Sequence, residues 1–535
     1  MKRICILLLA VLMLLGCQPT PETEFIVNKG DQSAMIDMAR GEDVVSAAGG
    51  NDGAEPAALD YRALYGIPER LTGTFSDTEG KVLVHIDAEV AVPDAPLPIV
   101  RVFSRDFDQQ TVTRIWNVLV KDTPMFELVD ETNLNRRTRI EDELKFFYAM
   151  LDDPELMREH LYDSEAEVME EIASLQAEYQ KTVDAEPKEK RRVDSTMWRR
   201  SVGFADKPDL TQQEGLWAIS EDESMRFTVY NSTDNDEPIY ETVEGGWNVI
   251  QNNKHASLSF RRESDVTDIV FGNRTIGVPF GTIIKEDDPL PERAKGSLPY
   301  TPKEAADRVR AFLKEAGLSD ESTIAYLSLD DDAGVYGRDD EREMLPHEPT
   351  MFCYHAVCAR KVNGAPCCNT EINVYESRGG ESTKTAYAPS WAYEQMHVYL
   401  DADGIFRFGW GTPLSVSDTL TAFSKLKPFD EIRTIAEKRF PLQYLEEANR
   451  ATEVSDHPNT QLPITEITVD RITLGLWRIA EQDKLGQGLL VPAYCFYGNM
   501  KSTWYQDGTP RVEYNDLLFV INAVDGSVID PAKGY

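Results

Sequence analysis

The sequence lacks the short motifs that mark the common hydrolases and nucleotide-binding enzymes. It contains no His-Glu-x-x-His, no Gly-x-Ser-x-Gly and no glycine-rich loop of the kind that cradles a phosphate. Only seven histidines occur in 535 residues, and they are scattered. Three of them, His85, His355 and His397, fall within predicted strands, where we expect structural roles. The sequence therefore predicts no catalytic residue and no cofactor.

An apolar run long enough to span a membrane, which takes roughly 20 residues, is also missing. The N-terminal apolar run, Ile4–Leu15, is shorter than this and follows Lys2 and Arg3. It ends in Leu-Leu-Gly-Cys at 14–17, which is the layout of a bacterial lipoprotein signal. We predict that residues 1–17 direct export and that Cys17 carries a lipid such as palmitate. The protein would then lie on the extracytoplasmic face of the cell membrane, anchored by that lipid.

Basic residues are few, with 55 Lys and Arg against 92 Asp and Glu, a formal charge of −37. Such a surface repels nucleic acid, so no nucleic-acid partner is predicted. The hydrophobic fraction of 41% and the 21 Tyr, 21 Phe and 8 Trp are typical of a globular protein with several cores. The acidic balance is most simply explained as a solvated surface.

The first half of the chain changes its periodicity several times. Residues 18–75 are rich in glycine, proline and acidic residues, which predicts a flexible tether. Alternating apolar residues then predict an N-terminal α+β region over 76–290. Within it, two apolar stripes at helical spacing near 139–182 predict a helical insertion that packs on the neighbouring sheet, with a partner-binding coiled coil as the alternative.

The second half shows one order of elements twice, over 296–415 and 416–535. Thr301-Pro302-Lys303-Glu304 predicts a capping box at the start of a helix, strands follow, and Asp403-Gly404 predicts a hairpin. The second copy begins with a helix near Pro428 and ends in strands around Asp525-Gly526. The sequence thus predicts an α+β, multidomain protein with mostly antiparallel sheets and a tandem repeat.

The end of the second copy carries a resemblance to a known domain. The apolar strand 490–496, followed by Phe-Val-Ile-Asn-Ala-Val-Asp-Gly-Ser-Val-Ile at 519–529, resembles the ending of PepSY-type domains. The helix over 301–316 resembles their opening. The chain with its lipoprotein signal is similar to an uncharacterised family of surface lipoproteins from Gram-positive, clostridia-like bacteria. The resemblance implies tandem PepSY-like modules that bind or regulate an exported protein or peptide.

Five cysteines remain beyond Cys17, and four of them lie within sixteen positions. Cys353 and Cys358 are an odd number apart in a predicted strand, so they face opposite sides of it. Asn363-Gly364 predicts a turn that brings Cys358 near the adjacent pair. We therefore predict a disulfide from Cys358 to Cys367 or Cys368. Zinc bound by Cys353, His355, Cys367 and Cys368 is the alternative, but adjacent cysteines rarely chelate one ion well.

Acidic clusters at 330–332 and 339–341 lack the spacing and the glycine of a calcium-binding loop, which favours solvated loops. The leading interpretation is a non-catalytic lipoprotein that binds an exported protein or peptide and contacts the membrane through its lipid. A cell-envelope hydrolase with a site at a domain junction is the main alternative, and a solute-binding lipoprotein is a third.

Overall fold

The computed structural model describes most of the chain beyond the N-terminal region. The described residues are 32–40, 60–127, 132–152, 162, 164–181, 191–201, 212–233, 239–242, 248–251, 256–264, 282–331, 351–368, 393–453, 462–481, 487–506, 509–513, 517–531 and 534. Cys17 and the lipoprotein signal lie outside these residues.

Seven α-helices occur in the described residues. They are α1 Gln32–Ala39, α2 Tyr61–Tyr65, α3 Gln109–Leu119, α4 Thr132–Asp152, α5 Glu165–Lys181, α6 Pro302–Glu315 and α7 Phe429–Glu453. None of the helices described is long and apolar enough to cross a bilayer.

Strands make up most of the remaining regular structure. The first eleven are β1 Arg70–Ser76, β2 Val82–Ala91, β3 Ile99–Ser104, β4 Met125–Glu127, β5 Arg192–Val193, β6 Trp198–Ser201, β7 Gln212–Ser220, β8 Met225–Thr233, β9 Ile239–Thr242, β10 Asn248–Gln251 and β11 Ser257–Arg262. The others are β12 Thr282–Ile284, β13 Ser322–Asp331, β14 Phe352–Val362, β15 Ala365–Pro366, β16 Gln395–Asp401, β17 Gly404–Gly411, β18 Leu414–Thr421, β19 Thr465–Ala480, β20 Gln487–Gln506, β21 Thr509–Glu513, β22 Leu517–Asn522 and β23 Val528–Ile529.

The first sheet has nine strands drawn from both ends of the described chain. Its main order is β1-β2-β19-β20-β22-β23, with β3 joined to β18 and β20, and β21 joined to β20. All pairs are antiparallel except β2 with β19, where Val82 lies opposite Thr465 in a parallel register. Helix α7 covers one face, and Phe440 stacks on Phe519 with ring centroids 4.5 Å apart. This packing forms the larger of the two main cores.

The second sheet has twelve strands in the main order β12-β13-β14-β16-β17-β11-β8-β7-β4-β5, with β15 and β6 attached at its sides. Helices α3 and α6 lie on one face. Phe312 of α6 meets Phe408 edge-on at 5.0 Å, and Trp116 of α3 meets Phe227 at 5.1 Å. Strands β9 and β10 form a separate antiparallel pair. The predicted α+β class with mostly antiparallel sheets is confirmed.

Each half of the predicted repeat is a helix followed by an antiparallel meander. Helix α6 precedes β13-β14-β16-β17 in the second sheet, and α7 precedes β19-β20-β22-β23 in the first. Both Asp-Gly pairs turn one strand into the next: Asp401 pairs with Gly404, and Ile521 pairs with Val528. Gly404 and Gly526 have φ values of +115° and +80°, which suit glycine. Their identity as PepSY-like modules remains a prediction.

Residues 76–290, predicted as one N-terminal region, contribute to both sheets. Strands β2 and β3 pair within the first sheet, whereas β4 to β8, β11 and β12 pair within the second. The physical reason is that alternation in a sequence reports which face of a strand is buried and carries no information about the partner strand. The two predicted modules are therefore each extended by strands from this region.

Part of the predicted tether, 18–75, is folded. Met35 and Ala39 of α1 are buried in the core of the first sheet, as are Tyr61 and Leu71. The backbone N–H of Leu97 donates a hydrogen bond of 2.9 Å to the hydroxyl of Tyr61. The tether prediction is wrong for these segments because a few apolar residues in a glycine-rich stretch suffice to dock it on an existing core.

The helical insertion predicted near 139–182 is present as α4 and α5. The two helices pack against each other, and their own small core contains Met150, Val168 and Ile172. Further support comes from Tyr179, whose hydroxyl donates a 2.7 Å hydrogen bond to Glu141. Each helix thus covers the buried residues of the other, whereas the sequence predicted that the neighbouring sheet would cover them.

Candidate functional site

The five cysteines within the described residues are all free thiols, and Cys358 lies in a different core from its predicted partners Cys367 and Cys368. Cys358 points into the core of the second sheet, opposite Ile324 and Met396. Cys367 and Cys368 pack against the core of the first sheet. The turn at Asn363 does reverse the chain, but it carries the adjacent pair toward the other sheet. Burial raises the pKa of the Cys358 thiol to about 12, so it stays protonated.

The four residues of the alternative zinc site are likewise divided between the two sheets. Cys353 and His355 lie on the face of β14 opposite Cys358, as the odd spacing predicted, while Cys367 and Cys368 lie against the first sheet. No group of three or more His, Cys, Asp or Glu side chains suited to a metal ion occurs in the part of the chain that the structure describes.

A buried row of polar side chains crosses β13, β14 and β16 on this same face. Nε2 of His355 and Nδ1 of His397 are 2.9 Å apart, which is a hydrogen bond between two imidazoles. Nδ1 of His355 lies 3.5 Å from the Asp330 carboxylate, which accepts a 2.8 Å hydrogen bond from Ser328. The ring of Tyr399 stacks on His355 at 4.1 Å. The row follows from register, because Ser328 lies opposite His355.

This polar row is enclosed. His355 is 1% exposed, His397 6% and Asp330 4%, so a substrate has no contact with these groups. The arrangement links three neighbouring strands through side-chain contacts. Asp330 was expected in a solvated acidic loop, and that expectation is wrong because β13 extends through it. Asp332 and the 339–341 cluster lie outside the described residues.

A second charged cluster lies where the two sheets meet. The guanidinium of Arg360 contacts both carboxylate oxygens of Glu394, at 2.5 and 2.8 Å. Glu394 also accepts a 2.9 Å hydrogen bond from the indole of Trp410. Arg478 of β19 lies beside Glu394 and is 3% exposed, and its burial lowers the pKa of its guanidinium. Charges of both signs thus meet at the junction between the sheets.

An open cavity with ligand dimensions lies on the helical face of the second sheet, among the residues that the structure describes. Its volume is about 450 Å³, within the range typical of ligand sites. It lies between the end of α3, the last turns of α6 and the β16–β17 hairpin. We call it the α3–α6 cleft. The lining residues used below are Leu119, Val120, Lys121, Phe260, Arg262, Arg308, Ala311, Phe312, Glu315, Asp403 and Ile405.

The floor of the α3–α6 cleft is apolar. Val120, Phe260 and Phe312 are at most 3% exposed, and Leu119 is 9% exposed at the edge of the same surface. Ala311, a small and exposed residue on α6, leaves room above this floor. An apolar floor of this kind favours contact with a hydrophobic side chain.

The rim of the α3–α6 cleft carries charge. Lys121, Arg262 and Arg308 are basic, against the acidic Glu315 and Asp403, so three of these five charged groups are cations in a chain with 55 basic and 92 acidic residues. Each basic group is placed by local structure. Lys121 follows α3 with φ of +53°. Arg262 and Arg308 are held by neighbours described next.

Asp401 and Tyr300 hold the two rim arginines in place. The guanidinium of Arg262 donates to both oxygens of the Asp401 carboxylate at 2.8 and 2.9 Å. Arg308 lies 4.1 Å from the centre of the Tyr300 ring. Asp401 is the last residue of β16, immediately before the hairpin turn, and it holds Arg262 there. Sequence reasoning missed the α3–α6 cleft, because α3 and α6 are far apart in the chain and no shared pattern links them.

Comparison with known proteins adds little to this geometry. No protein-family model matches the sequence, and no curated protein matches it significantly. Among solved structures, the chain matches the crystal structure of an uncharacterized protein from Eubacterium rectale ATCC 33656, with a TM-score of 0.42 and 11% sequence identity. The similarity covers 86% of this chain and 94% of that one.

Proposed function

We propose that the protein is a lipid-anchored lipoprotein of the extracytoplasmic membrane face that binds an exported protein or peptide without catalysing a reaction. The observation that carries the proposal is the α3–α6 cleft, with its apolar floor and relatively basic rim. The PepSY-like features of the two repeat units support the same function, since such domains are associated with regulation of exported proteins.

The occupant that fits the α3–α6 cleft is an extended peptide segment with an apolar side chain next to a carboxylate. The apolar side chain would lie on Phe260 and Phe312, and the carboxylate would face Lys121 and Arg308. Lys121 and Arg308 favour a segment that carries a carboxylate, because they are two cations beside an apolar floor in an otherwise acidic protein. The enclosed histidine row offers no comparable access, which favours binding over hydrolysis.

The test places a photo-crosslinking amino acid at Ala311, inside the cleft, and at Lys314, which is exposed on the same helix but does not line it. Both full-length proteins are expressed in intact cells. We expect a peptide or protein to be captured at position 311 and identified by mass spectrometry, with no capture at 314. The identified segment should contain an acidic residue beside an apolar one.

The captured segment is then synthesised and its affinity for the full-length protein is measured. Ala311→Trp should weaken binding at least tenfold by filling the cleft, and Lys314→Trp should leave it unchanged. Equal capture at both positions, or equal affinity for both variants, would contradict the proposal.

The lipid anchor is tested in the same cells. Cys17→Ala should move the protein from the membrane fraction to the medium, while Cys5→Ser, within the signal, should not.

A further inference from the structure

Cys368 and Cys495 come from different sheets and meet at their junction. Cys368 follows β15, which is paired to β14 of the second sheet, whereas Cys495 lies in the middle of β20 of the first sheet. The backbone N–H of Cys368 donates a 2.8 Å hydrogen bond to the carbonyl of Leu476 on β19. The end of the β14–β15 hairpin is therefore fixed on the strand next to β20.

The position of the Cys368 sulfur is set by backbone contacts on β19. Sγ of Cys368 lies 3.9 Å from the carbonyl oxygen of Thr473. A Cβ atom at Gly475 would lie 2.9 Å from the same sulfur and 2.8 Å from the carbonyl oxygen of Pro366. Glycine at 475 thus leaves the space into which the Cys368 side chain fits.

Cys495 reaches the same place from the neighbouring strand. It lies directly opposite Thr473 in the β19–β20 register, so its side chain shares the face that Cys368 covers. The pKa of the Cys495 thiol is raised by burial and by a hydrogen bond with Cys368. Both thiols therefore lie on the same face of the β19–β20 pair, with Cys495 fully buried and Cys368 partly exposed.

We propose that Cys368 and Cys495 form a disulfide that joins the two sheets covalently. This pairing differs from the one expected from the sequence, and it does not depend on binding at the α3–α6 cleft. It would link β20 to the β14–β15 hairpin beside the Arg360–Glu394 ion pair. A disulfide at this point would resist separation of the sheets, since it closes a loop of more than a hundred residues in the unfolded chain.

The oxidant is a disulfide, R–S–S–R, of a small thiol or of an exported oxidoreductase. The accessible Cys368 thiolate attacks one sulfur of the reagent, whose S–S bond breaks while a mixed Cys368–S–S–R bond forms and R–S⁻ leaves to take a proton. The Cys495 thiolate then attacks Sγ of Cys368 and releases the second R–SH. Two protein thiols are oxidised and one disulfide is reduced to two thiols.

Peptide mapping of the full-length protein tests the proposal. The protein is incubated with oxidised and reduced glutathione at pH 8, its free thiols are alkylated in denaturant, and it is digested without reductant. We expect one cross-linked species that joins the peptides of Cys368 and Cys495. Because burial keeps Cys495 protonated, formation of the disulfide should accelerate as the pH rises from 7 to 9.

Thermal unfolding gives a second measurement. Oxidation should raise the midpoint by about 5 °C relative to the reduced protein. The rise should be absent in Cys368→Ser and present in the matched control Cys367→Ser. Alkylation of all five thiols after oxidation would overturn the proposal, and so would a bond from Cys495 to Cys367 or from Cys358 to either neighbour.

Discussion

Gly498 shows how a single residue permits the long strands of the first sheet to bend. In the β19–β20 pair, Val469 lies opposite Gly498 and Arg471 lies opposite Tyr497, so Asp470 is the extra residue of a β-bulge. A Cβ atom at position 498 would lie 1.9 Å from the carbonyl oxygen of Thr468, a backbone atom that cannot move aside. The bulge therefore depends on the missing side chain.

We predict that Gly498→Ala lowers the free energy of unfolding by more than about 2 kcal/mol, because the backbone of β19 must shift. Gly73→Ala is the matched control, since nothing lies within 4 Å of a Cβ at that edge-strand position. It should change the free energy by less than about 0.5 kcal/mol. Urea unfolding measures both, and equal effects would show that the bulge tolerates a side chain.

The two histidines of the buried polar row were placed in strands from the sequence, but their contacts were not foreseen. Periodicity locates His355 and His397 on strands and indicates which face each occupies. It does not show that β14 and β16 are neighbours, so it could not predict the 2.9 Å hydrogen bond between the two rings. Asp330 was assigned to solvent because consecutive acidic residues usually are exposed.

At the scale of single elements, the helix α6 was predicted in full from local signals. Thr301 and Glu304 form the expected capping box: the backbone N–H of Thr301 donates to the Glu304 carboxylate at 2.7 Å, and the N–H of Glu304 donates to Oγ1 of Thr301 at 3.3 Å. The buried face, which includes Val309 and Phe312, also matches the sequence pattern. Caps and periodicity are local, so one sequence suffices to identify them.

We predict that Thr301→Ala lowers the free energy of unfolding by about 1 kcal/mol, because two amide donors lose their side-chain partners. Thr301→Ser keeps the hydroxyl and should retain most of the stability. Hydrogen exchange in the first turn of α6 gives a local measurement alongside urea unfolding. Equal protection in Thr301→Ala and the natural protein would contradict the role of the capping box.

Strand boundaries were predicted less well where bulges occur. The sequence indicated separate strands at 464–469 and 472–480, and the structure has one strand, β19, bent at Asp470. This difference arises because a bulge interrupts alternation without ending the hydrogen-bonded ladder.

At the scale of the whole molecule, burial of phenols and thiols couples stability to alkaline pH. Burial raises the pKa of Tyr61 from 10.0 to about 12 and that of Cys358 from 9.0 to about 12. Both groups are neutral acids that lose a proton more readily in the unfolded chain. The stability that they contribute is therefore complete below their ordinary pKa values and is lost as the pH rises to 12.

We predict that the free energy of unfolding falls steadily between pH 9 and pH 12. Tyr61→Phe should remove on the order of 2 kcal/mol of that fall between pH 10 and 12, because burial raises the pKa of Tyr61 to about 12. The same variant should be less stable at pH 8, because the Leu97 amide loses its partner. Urea unfolding at each pH measures both effects, and an unchanged slope in Tyr61→Phe would contradict the assignment.

The arrangement of the two sheets was the least predictable feature of the molecule. The sequence indicated two similar units in the second half, and both are present as a helix and a meander. It gave no sign that β1 to β3 complete the first sheet while β4 to β8, β11 and β12 extend the second. Long-range pairing depends on tertiary packing, and the α3–α6 cleft depends on the same pairing.

The parallel pairing of β2 with β19 has a consequence for biosynthesis. A ribosome delivers β2 early, then nearly the whole of the second sheet, and only afterwards β19. During that interval one edge of β2 has no strand to pair with, and open edges of this kind associate with other chains. Products of translation that stop before Thr465 are therefore the ones expected to aggregate, and a slow ribosome would lengthen the period of risk.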